Sequence, residues 1–194
     1  RINPIDRVRN APPAQKTAMA EALAELVIMN GERADSNHEQ TWNRSEKLLL
    51  TPLILHAAAS EPEQGHFGAL RWLVLKGPDE LRKVLEKSPS RVAQMEFEGW
   101  MRLSGETNFK YGVFSGLITK LNPWMTDSMV ALTETTDIDF KALKNQLFTF
   151  YLAVPSRSKD SKLIGSLMLN FLIDQIMEMR KELRYPVSML LDEF

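Results

Sequence analysis

Val187-Ser188-Met189-Leu190-Leu191-Asp192-Glu193-Phe194 is the stretch that decides the fold. Apolar residues run into an acidic pair, the pattern of a buried strand that ends at the rim of a sheet. Asp192 is suited there to hold Mg²⁺ through its water shell, because magnesium takes carboxylate and phosphate oxygens. Glu193 can polarise an attacking water as a positioned base. The pattern is short, and a solvated strand end or a helix cap fits the same residues. Its meaning is set by its surroundings.

Working upstream, a long amphipathic helix is expected from Asp160 to Leu183, with Leu163, Leu167, Phe171, Ile173, Ile176 and Met177 apolar. Before it, Leu147 to Val154 is aromatic, β-branched and almost wholly apolar, and Pro155-Ser156 ends the run. Such a run is the mark of a strand buried on both faces. Strand, helix and strand over this length make a βαβ unit, hence a parallel sheet with a right-handed crossover. Open sheets of this kind bind ligands at the carboxyl ends of their strands. Arg157, Lys159 and Lys162 follow the first strand and would share the rim with Asp192. They are candidates for phosphate or DNA contact, against the plainer alternative of a solvated loop and helix start.

Residues 12–135 read differently, as helices joined by short turns. Pro13 to Asn30 carries Met19, Leu23, Leu26 and Val27 on one face. A longer helix carries Trp42, Leu49, Leu50, Leu53 and Ala57, and Pro52 inside it is expected to kink it. Gly65 to Lys76 forms the next, with Phe67, Leu70, Leu73 and Val74. Gly77-Pro78 starts a helix burying Leu81, Val84 and Leu85, with proline in the tolerated first turn. Ser88-Pro89 starts another, with Val92, Met95, Trp100 and Leu103 as its apolar stripe. Phe109, Val113, Phe114, Leu117 and Leu121 mark one more, Thr126 to Leu132 is a short one, and Asp137 to Leu143 suggests a single capped turn.

Composition narrows the function classes. The chain has 194 residues, 44% hydrophobic and 25% charged, with a net charge of -1. That is a globular composition without a global basic field, although local patches remain open. With no cysteine, disulfides and cysteine-ligated metals are excluded. The longest strongly apolar run, Leu163 to Ile173, has 11 residues, against roughly 20 for a membrane span. His38, His56 and His66 lack a metal-binding spacing and read as loop or helix-surface residues. The Gly112-x-x-x-Gly116 spacing would let two helices approach closely, although relief of local packing is the plainer reading in a segment of this kind, and Met19, Met95, Met168, Met177 and Met179 suggest core filling.

The order of these segments resembles one family, the coupling ATPases of type IV secretion and conjugation (TraG/TraD type). Asn3-Pro4-Ile5-Asp6 looks like the strand end that precedes the family's all-α domain. Trp42 through Leu50 to Leu53-Ile54-Leu55-His56 looks like the helix that opens that domain. Phe150-Tyr151-Leu152-Ala153-Val154-Pro155 and Leu190-Leu191-Asp192-Glu193-Phe194 look like the two strands that rejoin the nucleotide-binding domain. The resemblance implies an all-helical domain inserted into a P-loop (RecA-like) parallel-sheet domain. Residues 1–11 would be a strand end and linker, 12–135 the all-α domain, and 136–194 the βαβ part ending at the Walker B strand.

It further implies ATP and Mg²⁺ as cofactors of the full-length protein, with Asp192 on the metal and Glu193 catalytic. Implied partners are a relaxase or secreted effector proteins, single-stranded DNA and the components of a type IV secretion channel. The assembly would be a homo-hexamer at the cytoplasmic side of the bacterial inner membrane. No Gly-x-x-x-x-Gly-Lys-Ser/Thr loop occurs in the chain. The start at Arg1 and the stop just after the acidic pair read as a fragment that holds half of an ATP site, inactive alone. Two rivals stand beside this. One is a helical protein-interaction module with a structural acidic pair. The other is a DNA-translocating P-loop ATPase of the chromosome-partitioning type, in which such a helical insert is unusual.

Overall fold

The computed structural model describes residues 1–29, 37–103, 105, 107–139, 145, 147–153 and 159–190. It is mostly helical, in the manner of an all-α domain. The chain divides into two compact units, Arg1–Thr136 and Asp137–Phe194.

The first unit contains α1 (Ile5–Asn10), α2 (Lys16–Met29), α3 (Asn37–Ala59), α4 (Phe67–Leu75), α5 (Pro78–Glu86), α6 (Arg91–Leu103), α7 (Thr107–Lys120) and α8 (Asp127–Thr133). Short 3-10 turns at Pro13–Gln15, Pro62–Gln64 and Asn122–Met125 join some of them. Each of these three turns has proline in its first two positions, where the missing N–H costs nothing. The long α3 is the axis and packs against α1, α2, α6 and α7. Leu49, Leu50, Leu53, Ile54 and Ala57 of α3 are fully buried. They share the core with Ala20 and Val27 of α2, Ala93 and Phe97 of α6, and Val113 and Leu117 of α7. Each such leucine contributes about 1.5–3 kcal/mol relative to an exposed one. At one side Trp124 is wholly buried and stacks on Phe67, with ring centroids 4.4 Å apart.

Three expectations change here. Asn3-Pro4-Ile5-Asp6 opens a helix and does not close a strand. The Asn3 Oδ1 accepts from the Ile5 N–H at 3.0 Å, and Pro4 at φ -62° already has helical backbone. A side-chain acceptor and a fixed φ are what a helix start needs. In α6 the buried stripe is Ala93, Phe97 and Trp100, while Val92 and Met95 are exposed. Both stripes have helical spacing, and the one that buries two aromatic rings removes more apolar surface from water. Met95 is accordingly not a core filler, and neither is Met177 in the second unit, at 66% and 56% exposure. Pro52 lies inside α3, as its place in the apolar pattern implied.

In the second unit α9 (Lys159–Met179) buries Ile164, Leu167, Leu172 and Met179. Residues 147–153 and 186–190, expected as strands, run as irregular backbone, and no β-strand forms among the described residues. Parallel strands are completed by neighbours along their edges and by helices on both faces. Leu147, Tyr151 and Leu190 are 80%, 89% and 98% exposed, so the burial on both faces that a strand of this kind needs is not met at these residues. Residues 140–144 and most of the acidic end lie outside the described residues. Among those described, no helix is long and apolar enough to cross a membrane.

Candidate functional site

Of the residues that the sequence nominates, Asp192, Glu193 and Arg157 lie outside the described residues. Lys159 is the first residue of α9, and Lys162 is exposed one turn further on. The two lysines therefore share the N-terminal turn of one helix. The histidines are dispersed. His56 Nδ1 lies 2.9 Å from the Ser88 Oγ, and burial pushes its pKa below the usual histidine range. His66 Nδ1 accepts from the Ala69 N–H at 3.4 Å and so caps α4. Both do structural work at helix ends, and no metal-binding cluster occurs among the described residues.

The seam between α3 and α7 holds a buried charge. Glu46 is almost fully buried and is met by the Lys120 ammonium at 2.5 Å. Lys120 also donates to the Asn43 Oδ1. Burial raises the Glu46 pKa above the usual carboxylate value, while the hydrogen bond and charge of Lys120 pull it back. The seam is tight because α7 presents glycines. A Cβ at Gly112 would strike the Trp42 ring, and one at Gly116 would strike the Glu46 carboxylate. Trp42 stacks on Phe109 at 5.0 Å. Of the two readings of the Gly112/Gly116 spacing, the close approach of two helices is therefore the one that holds, against the plainer expectation.

Sequence reasoning overlooks Glu46 and Lys120. The signal is present nonetheless. Glu46 stands four residues after Trp42 on the apolar face of α3, and Lys120 continues the four-residue step of Gly112 and Gly116. Beside this seam an open cleft of about 240 Å³ lies between α2 and α3. Asn43 belongs to both features. Glu25 pairs with Lys47 at 2.6 Å across the cleft wall, and Ile28 and Met29 line its apolar side.

A second polar cluster joins the two ends of the first unit. Asn3 is 1% exposed. Its Nδ2 donates to the carbonyls of Gly65 at 2.8 Å and Glu134 at 3.3 Å, and its N–H donates to the Thr136 Oγ1 at 3.0 Å. The Thr136 hydroxyl in turn donates to the Asp6 Oδ2 at 2.7 Å. Arg9 pairs with Asp6 and reaches the carbonyls of Ala57 at 3.3 Å and Gly65 at 3.4 Å. The two ends of the helical unit therefore lie side by side, as the ends of compact domains often do.

No curated protein and no solved structure matches this chain. A family model does, and it extends over residues 1–194, across both compact units and through the terminal acidic pair. The chain belongs to the family described as type IV secretory system conjugative DNA transfer.

Proposed function

We propose that the chain is part of a coupling ATPase of the TraG/TraD type, whose helical unit contacts the transferred substrate and whose C-terminal segment supplies half of an ATP site. The observation that carries this is the reach of the family match, which takes in both the helical unit and Leu190-Leu191-Asp192-Glu193-Phe194. The adjacency of Asn3 and Thr136 adds support, since an inserted domain must leave where it enters. In the complete protein the segments 147–154 and 186–194 become neighbouring strands of a P-loop sheet, which covers the apolar side chains now exposed. Asp192 then faces Mg²⁺ through water, and Glu193 orients the water that attacks the γ-phosphate. A phosphate-cradling loop elsewhere in that protein completes the site. Lys159 and Lys162, at a helix start, suit phosphate or DNA backbone on the same rim. The assembly is a homo-hexamer at the cytoplasmic side of the inner membrane, handling relaxase-bound single-stranded DNA or effector proteins at the secretion channel.

The test is Glu193→Gln in the full-length protein. Loss of the positioned base lowers ATP turnover by about 10²–10⁴-fold with ATP binding retained. Turnover at the wild-type rate would remove Glu193 from the mechanism. A protein that binds substrate through its helical unit but never binds ATP would favour the interaction module.

A further inference from the structure

We propose that Asn3, Asp6 and Thr136 form a latch that locks the two chain connections of the helical unit to each other and to the base of α3, so that the unit moves as one rigid lever. The inference deepens the coupling-ATPase reading and rests on it for what the lever transmits. Two chain connections alone would leave a helical unit free to swing, because each peptide link has soft dihedrals. Here the connections are cross-bonded. The Ile2 N–H donates to the Leu132 carbonyl at 2.9 Å, and the Asn3 N–H donates to the Thr136 hydroxyl at 3.0 Å.

Asn3 and Thr136 use every side-chain proton they have. Both Nδ2 protons of Asn3 are used, on Gly65 and Glu134, and its Oδ1 is used on Ile5. The Thr136 hydroxyl accepts from Asn3 and spends its single proton on Asp6. Asp6 is held in turn by Arg9, whose guanidinium reaches the Ala57 carbonyl in the last turn of α3. Gly65 has to be glycine for this, since a Cβ there would collide with the Arg9 guanidinium and the Ala57 carbonyl. From that base α3 runs for 23 residues, about 34 Å at 1.5 Å per residue. Its far half carries Trp42 and the Glu46–Lys120 seam. Asn3 is buried with its side chain fully bonded, and such a group holds one geometry in preference to others, so displacement of the connections is passed to the whole length of α3.

Thr136→Val removes the acceptor for Asn3 and the donor to Asp6 at nearly constant volume. In the full-length protein it is expected to leave ATP turnover unchanged and to lower conjugative DNA transfer about tenfold, a usual size for coupling between sites. Thr136→Ser, which keeps the hydroxyl, restores transfer. Ile28→Val, a small core truncation in the same unit, controls for simple loss of stability and is expected to transfer normally. Unchanged transfer in Thr136→Val overturns the latch, as does equal loss of transfer in Ile28→Val or a parallel fall in ATP turnover. If the wild-type protein hydrolyses no ATP, the ATPase reading fails on its own, while the comparison of transfer between Thr136→Val and Ile28→Val still decides the latch.

Discussion

Glu46 shows what a single buried charge does to a helical seam. Its carboxyl is raised above the ordinary range by burial and pulled back by Lys120. A group raised in the folded state contributes stability that is complete below its unfolded pKa, near 4.5, and is lost as pH climbs through the folded value. Lys120→Met removes what holds the carboxylate in its charged form. We expect it to destabilise the chain by about 2 kcal/mol at neutral pH, less than for a fully buried pair because Lys120 keeps some solvent. The loss should shrink on acidification and nearly vanish below the unfolded pKa, which denaturant titrations across pH will measure. Adding Glu46→Gln should recover part of it, since no buried charge then lacks a partner.

His56 has the opposite sign. Burial keeps it neutral, so the folded chain binds fewer protons than the unfolded chain once pH falls below about 6.5. Its contribution is level above that point and erodes as pH drops toward the folded value. His56→Gln should flatten this part of the profile, visible as a smaller fall in melting temperature between about pH 7 and about pH 5.5. An unchanged slope would mean that other groups account for the acid sensitivity.

Among the elements, α6 and α7 use glycine for different reasons. Gly99 lies inside α6, and a Cβ there would meet nothing within 4 Å. Gly99→Ala should therefore stabilise the chain by about 0.5–1 kcal/mol, through helix propensity and a less free unfolded chain. Gly112→Ala should instead cost about 1–3 kcal/mol, because the new methyl group strikes Trp42. Thermal or denaturant melts of the two variants should move in opposite directions. If Gly112→Ala is neutral, the α3–α7 seam is looser than its geometry indicates.

At the scale of the molecule, the compactness of Arg1–Thr136 and the bonding of its ends make a direct prediction. Residues 1–136 expressed alone should be helical and unfold cooperatively, as judged by circular dichroism and a single melting transition. Broad melting with dye binding would show that this unit depends on the rest of the chain.

The helices of this unit were largely legible in the sequence, because apolar side chains at three- and four-residue spacing have only one way to bury a common face. Leu49, Leu50 and Leu53 in α3, and Val113, Phe114 and Leu117 in α7, are buried as their spacing requires. Membership of a type IV secretory DNA-transfer family was legible as well, through the order of segments from Asn3-Pro4 to Asp192-Glu193, and the family match covers that whole length. Tertiary structure alone decided the rest. It chose Phe97 over Met95 in α6, since two stripes of equal spacing differ only in what faces them. It turned Asn3 from a strand end into a helix start bonded to residues far along the chain. It also brought Glu46 to Lys120 across 74 residues. Local spacing reports which face is apolar. Which charges and amides meet depends on how the faces stack, and a chain cannot state that until it has folded.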